Sequence, residues 1–378
     1  MKVVHVCLSC FYIDGFSYQE NEIVRQHINE GHDVTVLAST ETYKDNQLTY
    51  VEPSTYTGAE GSKVIRLGYR KFLPHNIMKK LRIHHSVYQT LESEAPDVVM
   101  FHGLCGWELL NVSKYCSNNP STIFYVDSHE DFNNSARGFI SKYVLHKLYY
   151  KQIVKACLSK IPKILCISLD TIEFVANFYA VPRNKLEFFP LGGEVFDDLE
   201  YNTRRNSCRK RLGIGDDTIL LLQSGKFSKR KKLVESLKAF NQLDSTNIRF
   251  VLAGIVDDEI DLEVNRLIKD NNNIEFLGWK DANEVRDLLC AADLYLQPGT
   301  QSATMQMSLC ARCPVVLDDV LSHQPFIDGN GWLINNENDL FDAIESLDIE
   351  TLKIMSKKSY EIAKKQLDYK ELSARVLR

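Results

Sequence analysis

The sequence predicts an α/β protein built of two doubly wound domains, each a parallel sheet with helices on both faces. Short β-branched and apolar runs alternate with helix-like segments along most of the chain, as buried parallel strands and their connecting helices do. The chain has 378 residues, which is more than one hydrophobic core usually supports. The alternation stops at residues 190–217, where a glycine pair and a charged, apolar-poor stretch occur. We therefore place the joint between the two domains there.

The first series of elements begins at residues 2–8, where KVVHVCL has the composition of a buried strand. A helix pattern follows and stops at Gly31, and a second strand is predicted at residues 34–37. These three elements make a βαβ unit. Further strands of this series are predicted at residues 97–103, 121–129, 163–168 and 185–193.

The second series alternates in the same way. Its strands are predicted at residues 218–225, 248–254, 274–279, 294–299, 314–319 and 331–335. Its helices are predicted at residues 232–243, 258–270, 282–292 and 302–311, and the closing segment 338–378 is also helical in pattern. We therefore predict an N-terminal domain at residues 1–190 and a C-terminal domain at 191–361. A C-terminal helix at about 362–378 is expected to pack back on the first domain.

Composition excludes several classes of protein. Hydrophobic residues make up 44% and charged residues 25% of the chain, which is typical of globular proteins. A net charge of −5 argues against a dedicated nucleic-acid binder. The chain has ten cysteines, which we interpret as small buried apolar residues in a reducing compartment. The apolar N-terminus is too short for a membrane span, so we expect a cytoplasmic protein or one on the cytoplasmic face of a membrane.

A cluster of lysines follows the first strand of the second series. Gly225 and Lys226 end that strand, and Lys229, Lys231 and Lys232 come just before the predicted helix. Cations stabilise the C-terminal end of a helix and not its N-terminal end. An anion bound at this place would remove the conflict, because a glycine, exposed N–H groups and lysines together bind phosphate. The sequence therefore predicts a phosphate site near residues 225–232.

The chain resembles the GT-B glycosyltransferases, and more narrowly glycosyltransferase family four, which are retaining enzymes that use nucleotide sugars. Members carry a glycine, a basic residue and then a lysine five positions later with a second glycine beside it, and Gly225, Lys226 and Lys231 stand at the first three places. Lys226 replaces the usual arginine, which keeps the charge but loses the bidentate fork, and Lys232 replaces the second glycine. The resemblance continues through EGHDVTVLAS, LEFFPLGGEVF and AADLYLQPG. It implies a GT-B fold with two Rossmann-like domains facing a central cleft. It also implies that these residues bind the donor diphosphate, with Gly15 close to it.

One departure from the family concerns its usual pair of glutamates. The segment PGTQSATMQMSLCARCPVV has no acidic residue between Asp293 and Asp318. Gln306 lies near the place of the later glutamate and is expected to accept a hydrogen bond from the ribose. Thr300 and Ser302 are expected to contact the diphosphate together with backbone amides. The resemblance further places Trp279 beside the nucleotide base, although a core role for this tryptophan is also open.

The segment DSHEDFNNSA supplies the candidates for chemistry in the first domain. The resemblance implies that His129 faces the donor sugar, with Asp127 or Asp131 orienting it or accepting a proton from the acceptor hydroxyl. A helix N-cap with acidic residues in the first turn is the alternative for these carboxylates. His102 and Glu20 are further candidates for acceptor contact, and a structural role for His102 is equally open. A metal site is not expected.

Two segments, residues 69–88 and 136–160, mix lysine and arginine with aromatic and aliphatic residues at helical spacing. Such helices suit an anionic membrane surface, and they equally suit a helix that covers a sheet. If they bind a membrane, the acceptor is lipid-linked.

Together these features predict a retaining glycosyltransferase that moves a sugar from a UDP- or GDP-linked donor to a glycan or lipid-linked acceptor in polysaccharide or glycoconjugate biosynthesis. We expect no cofactor, no metal and no nucleic-acid partner. An inverting or epimerising enzyme with His129 or Asp131 as base is one alternative. A catalytically silent GT-B module is the other.

Overall fold

The computed structural model describes residues 1–44, 47–132 and 134–378. The chain divides into two compact units. One comprises Met1–Pro190 together with Tyr369–Arg378, and the other comprises Leu191–Asp368. Both are α/β units with a mainly parallel sheet.

The described residues of the first unit form ten strands, eight of which make one sheet. They are β1 Lys2–Cys7, β2 Asp33–Ala38, β3 Glu41–Lys44, β4 Gln47–Tyr50, β5 Thr55–Thr57, β6 Lys63–Arg66, β7 Val98–Phe101, β8 Ile123–Ser128, β9 Ile164–Cys166 and β10 Leu186–Phe188. The order in the sheet is β10-β9-β8-β7-β1-β2-β6-β5, and β3 pairs with β4 alone. Only β5 runs antiparallel to its neighbour in the large sheet. The strand order reverses between β1 and β7, which in such sheets is the place where ligands bind.

Helices cover both faces of this sheet. They are α1 Gln19–Asn29, α2 His75–Leu81, α3 Val87–Glu94, α4 Glu108–Asn118, α5 Lys151–Cys157, α6 Leu169–Phe178 and α14 Tyr369–Arg375. A π-helical segment, Ile140–Tyr150, runs directly into α5. The C-terminal α14 packs on Ile23 of α1 and on Met100 and Phe189 through Leu372 and Val376.

The second unit has a six-stranded, wholly parallel sheet in the order β13-β12-β11-β14-β15-β16. The strands are β11 Ile219–Phe227, β12 Ile248–Val256, β13 Ile274–Phe276, β14 Leu294–Gln297, β15 Val315–Asp318 and β16 Gly331–Ile334. The helices are α7 Asp198–Arg211, α8 Leu233–Asn241, α9 Asp258–Lys269, α10 Ala282–Ala291, α11 Ala303–Cys310, α12 Glu337–Glu345 and α13 Ile349–Gln366. Here the order reverses between β11 and β14. This is the doubly wound arrangement of a Rossmann-like domain.

The charged stretch predicted as an interdomain joint is mostly helix α7, and it belongs to the second unit. Its arginines reach partners on this unit: Arg209 donates to Asp293 at 2.9 Å and Arg204 to Asp287 at 2.9 Å. The helix lacks an apolar stripe because ion pairs rather than apolar contacts attach it, so sequence periodicity does not identify it. The helix predicted at about 362–378 consists of parts of two helices. Helix α13 ends at Gln366, and the separate helix α14 begins at Tyr369.

A close approach of two strands shapes the carboxyl end of the second sheet. Gly225 of β11 pairs with Gly254 of β12, and Gly225 has a φ of +127°, which favours glycine. A Cβ atom on Gly254 would lie 1.8 Å from the carbonyl oxygen of Gly225. A side chain at position 254 would therefore force the two strand ends apart.

We expect Gly254→Ala to lower the free energy of unfolding by roughly 1–3 kcal/mol, as overpacking does in other proteins. Gly215→Ala is the matched control, because nothing lies within 4 Å of a Cβ built there, and it should leave stability unchanged or slightly raised. Urea unfolding followed by circular dichroism measures both. Equal midpoints for the two variants would show that the strand ends adjust without cost.

Candidate functional site

The lysine cluster of the second unit lies where the sheet order reverses, at the carboxyl ends of β11 and β14. Lys226 is the second-to-last residue of strand β11. It does not lie at the start of a helix, because α8 begins only at Leu233. Its side chain is largely exposed and lies 3.9 Å from Asp257. A 3-10 turn, Lys229–Lys231, connects the strand to the helix. The lysines therefore precede helix α8 instead of occupying its first turn.

Lys231 joins the loops that follow β11 and β14. Its Nζ donates to the carbonyl oxygen of Thr300 at 2.7 Å and to that of Gln301 at 3.3 Å. The backbone N–H of Thr300 in turn donates to the carbonyl of Arg230 at 3.2 Å. Gly299 makes this contact possible, because a Cβ there would lie 2.2 Å from the Arg230 carbonyl oxygen. Burial lowers the pKa of Lys231 to about 8.

Lys232 belongs to the predicted lysine cluster, but the sequence did not indicate its partner. It has a φ of +50°, and the family usually has glycine at this position. Its Nζ lies 2.6 Å from Asp318. Both residues line a cavity of about 480 Å³ together with Glu235 and Asn336. The run of lysines in the sequence indicates that Lys232 belongs to the site. The pairing of Lys232 with Asp318 joins residues 86 positions apart, so no local sequence pattern predicts it.

The predicted donor residues of helix α11 are placed differently from the expectation. Ser302 caps α11, since its Oγ accepts from the N–H of Met305 at 3.2 Å. Its hydroxyl also donates to Gln297. Gln306 is fully buried, and its Oε1 accepts from the backbone N–H of Gly192 at 2.9 Å. Gln306 therefore does not present its amide to a ribose, because it anchors the chain at residue 192 instead.

Trp279 lies on the surface, with 66% of its area exposed. It follows Gly278, whose carbonyl accepts the N–H of Gly254 at 2.8 Å. This tryptophan is thus close to the glycine pair at the carboxyl edge of the sheet. The alternative of a core tryptophan does not hold.

The candidates of the first unit gather around a buried carboxylate, Asp127. Its Oδ2 lies 2.6 Å from Nδ1 of His102, and its Oδ1 accepts from the N–H of Gly103 at 2.7 Å. Burial acts to raise the pKa of Asp127, but the neighbouring His102 and His129 hold it well below its usual value. Asp127 and His102 are both almost completely buried. They do not present their side chains to an acceptor, which corrects that assignment.

His129 is more exposed and stands next to the same carboxylate. Its Nε2 lies 3.6 Å from Oδ1 of Asp127, and 35% of its side chain is exposed. Burial acts to lower the pKa of His129, but the Asp127 carboxylate outweighs it and the pKa is raised. Glu130, which the sequence analysis left out, accepts from the N–H of His129 at 3.1 Å and from the hydroxyl of Ser128.

Asp131 makes local contacts with Asn134. Its Oδ1 accepts from the N–H of Asn134 at 2.8 Å, and its own N–H donates to the Asn134 side chain at 3.1 Å. This is a local turn motif. The structural role that the sequence left open therefore describes Asp131 better than a catalytic one.

The loop after β1 supplies the two remaining predicted residues. Gly15 is exposed and has a φ of +76°, a conformation that favours glycine. Glu20 lies in the first turn of α1 and is buried, so it faces the protein interior instead of an acceptor. The loops after β1 and β7 meet, since a Cβ on Gly103 would lie 3.0 Å from the Ser9 side chain.

Among the described residues, no group of three histidine, cysteine, aspartate or glutamate side chains has the arrangement of a metal site. Within those same ranges, no helix is both long enough and apolar enough to cross a membrane.

Comparison with known proteins finds a family match within the second unit. Residues 218–348 match the model of the family described as "Glycosyl transferases group 1". The lipopolysaccharide glucosyltransferase WaaG of Escherichia coli (strain K12) is 23% identical over 203 residues, which is 50% of this chain and 53% of WaaG. The match thus spans about half the length of that curated relative.

Solved structures show the same fold over the whole chain. The crystal structure of HepE from Anabaena in complex with UDP superposes with a TM-score of 0.67 at 13% identity, covering 100% of this chain and 98% of HepE. A crystal structure of WaaG gives a TM-score of 0.63 at 17% identity, with 99% and 98% covered. Residues 218–348 thus match the glycosyl transferases group 1 model, and the whole chain has the GT-B fold of these solved structures.

Proposed function

We propose that the chain transfers a sugar, with retention of anomeric configuration, from a nucleotide-sugar donor to a glycan or lipid-linked acceptor in polysaccharide or glycoconjugate biosynthesis. The observation that carries this proposal is Lys231. Its ammonium is held at the reversal point of the second sheet by two backbone carbonyls, and no carboxylate pairs with it in the part of the chain that the structure describes. A partly buried cation without a counter-charge is stabilised by an anionic ligand.

The relatives support a UDP-linked hexose as donor. HepE is solved with UDP and with UDP-glucose, and WaaG is named as a glucosyltransferase of lipopolysaccharide. In this chain the diphosphate of such a donor would lie by Gly225, Lys226 and Lys231. Two positive charges there stabilise the charge that develops on the departing diphosphate. Exposed Trp279, at the same sheet edge, has the flat apolar surface that a nucleotide base needs.

Retention is proposed from the family-four resemblance of the sequence. An inverting enzyme needs a base that removes the acceptor proton, and the Asp131 carboxylate is engaged in a turn. In a retaining enzyme the imidazole of His129, whose pKa Asp127 raises against the effect of burial, supplies a hydrogen-bond donor to a sugar hydroxyl. NMR analysis of the product anomer from UDP-glucose separates the two outcomes.

We expect Lys231→Ala to weaken UDP binding by roughly 10- to 100-fold, because a hydrogen bond to a charged group contributes about 1.5–3 kcal/mol. Lys229→Ala is the matched control. Lys229 lies two positions away, 77% exposed and 4.0 Å from Glu259, and its removal should change UDP affinity less than about 2-fold, as expected for a surface charge. Isothermal titration calorimetry measures both. Wild-type protein that binds neither UDP nor GDP would instead favour the silent module.

The pKa of Lys231 gives this binding a pH dependence. Folding lowers the pKa from about 10.4 in an unfolded chain to about 8. Without ligand, protonation of Lys231 is harder in the folded than in the unfolded protein. The free energy of unfolding therefore decreases as the pH falls from about 10 towards 8. Diphosphate favours the charged amine, so UDP affinity should decline as the pH rises above 8. Lys231→Ala should lack this decline, and a decline of equal size in the variant would assign it to another group.

An apolar and basic surface of the first unit supports membrane contact. We call it the apolar patch, and it consists of Phe72, Leu73, Ile77, Phe139, Ile140, Val144 and Leu148, all of which are exposed. The two segments that carry it lie side by side, because the hydroxyls of Tyr149 and Tyr150 donate to the backbone carbonyls of Leu81 and Lys80. The π-helical segment has a buried side as well, with His146 and Tyr150. It thus covers the sheet and exposes apolar residues at the same time.

The charge around the apolar patch supports an anionic lipid surface as its occupant. Lysines at positions 71, 79, 80, 142, 147 and 151 accompany the exposed apolar side chains. Lysine beside exposed aromatic and aliphatic residues suits the headgroup region of an anionic bilayer. We therefore propose that the chain docks on the membrane through the first unit, and that its acceptor is lipid-linked.

Vesicle sedimentation tests the apolar patch. The protein should sediment with phosphatidylglycerol vesicles and not with phosphatidylcholine vesicles, and the double variant Phe139→Ser/Leu148→Ser should reduce the bound fraction several-fold. Leu262→Ser is the control, since Leu262 lies in the second unit and is 87% exposed. Binding that is equal for the double variant and the wild type would contradict the proposal.

A further inference from the structure

A continuous chain of hydrogen-bonded side chains crosses the interior of the first unit. Oδ2 of Asp127 lies 2.6 Å from Nδ1 of His102. Nε2 of His102 lies 2.9 Å from Nδ1 of His5, and Nε2 of His5 lies 3.0 Å from Nδ1 of His27. Nε2 of His27 lies 3.1 Å from the backbone carbonyl oxygen of Ser373. All three imidazoles are buried, and they connect the C-terminal helix α14 to the end of β8.

We call His102, His5 and His27 the histidine chain. The number of protons that it holds follows from the two groups at its ends, the Asp127 carboxylate and the Ser373 carbonyl. A carboxylate and a carbonyl only accept hydrogen bonds, and a neutral imidazole carries one N–H. Four hydrogen bonds need four protons, but three neutral imidazoles supply three. The count holds whichever tautomers are chosen. One further proton must therefore be present between Asp127 and Ser373.

We propose that the histidine chain holds this additional proton on His102 as an imidazolium paired with ionised Asp127, and that the pair positions His129. Asp127 is fixed at both oxygens, by His102 on one side and by Gly103 N–H on the other. Its Oδ1 is also the atom nearest to Nε2 of His129. The histidine chain thus acts on the candidate site through Asp127 without touching a substrate.

Several charged groups face the histidine chain from the elements around it. Glu20 of α1 and Cys7 of β1 act on His102 in the same direction as Asp127, whereas burial opposes them, and together they raise the pKa of His102 to about 10. Burial lowers the pKa of His27 to about 4, with a smaller contribution in the same direction from His32. Burial also lowers the pKa of His5. The one proton is therefore expected on His102, with its two neighbours neutral.

The sign of each shift defines the pH range in which the histidine chain stabilises the fold. Protonated His102 stabilises the fold, because its pKa is higher in the folded protein than the value of about 6.5 in an unfolded chain. This stabilisation is complete below about pH 6.5 and is lost as the pH rises through about 10. Neutral His27 stabilises the fold above about pH 6.5, because its pKa is lower in the folded protein. This stabilisation is lost as the pH falls through about 4. The low pKa of Asp127 acts in the same direction as that of His27.

Substitution at His27 tests the proton count, because this residue lies farthest from Asp127. In His27→Gln, the amide oxygen accepts from His5 and the amide nitrogen donates to Ser373, so four hydrogen bonds remain and the additional proton is still required. In His27→Leu, only the two bonds from Asp127 to His5 remain, and two neutral imidazoles satisfy them. His102 should therefore be charged at pH 8 in the wild type and in His27→Gln, and its pKa should be lower in His27→Leu, where the remaining hydrogen bonds no longer require the additional proton.

Ring-nitrogen NMR of the full chain labelled with ¹⁵N-histidine measures these charge states. A neutral His102 in the wild type at pH 8 would overturn the proposal, as would the same titration of His102 in His27→Leu and His27→Gln. His27→Met provides the same comparison if His27→Leu does not fold.

The positioning of His129 rests on the proposed function and has its own readout. The alkaline limb of the pH profile for UDP-glucose hydrolysis should shift to lower pH in His27→Leu by the same amount as the titration of His102, and should stay in place in His27→Gln. An unshifted limb would contradict positioning. If UDP-glucose is not hydrolysed at all, the proposed function fails, while the NMR result on the histidine chain stands.

Discussion

A buried charge needs a partner, and this requirement organises both units of the protein. In the second unit, Asp293 accepts from Arg205, from Arg209 and from the N–H of Leu220, which attaches helix α7 to the start of strand β11. In the first unit, Asp127 is balanced by His102. Desolvation of either carboxylate alone would cost several kcal/mol. These pairs are therefore conditions for folding, and a partly buried charge without such a pair, as at Lys231, points to a ligand.

The parallel sheets determine where these charges collect. Both sheets reverse their strand order next to their first strand, and loops from two strands meet at that point. In the second unit the loops after β11 and β14 meet through Lys231 and Gly299. In the first unit the loops after β1 and β7 meet through Ser9 and Gly103. At each of these two places, polar groups that are far apart in the sequence lie close together in the structure.

The sequence revealed those parts of the fold that local patterns encode. Buried β-branched runs identified β1, β11 and β12, and the order of segments gave the GT-B fold. Helix α7 was missed because arginines and not apolar residues attach it. The contact of Gln306 with Gly192 and the contacts among His5, His27 and His102 join residues up to 114 positions apart, and sequence periodicity does not indicate such contacts. Long-range pairing of polar groups is thus the part of the site that one sequence does not disclose.

Lys232 shows how a departure from the family pattern is accommodated and why Lys231 is the better ligand for diphosphate. A left-handed backbone costs a non-glycine residue about 1–2 kcal/mol, and Lys232 has a φ of +50°. Its ion pair with partly buried Asp318 at 2.6 Å offsets part of that cost. The same pair neutralises the Lys232 ammonium. Lys231, held by two carbonyl dipoles, has no such pair in the described ranges and is mostly charged at a pH below its pKa of about 8. The attraction for an anion at this strand end therefore comes from Lys231, together with Lys226, and not from Lys232.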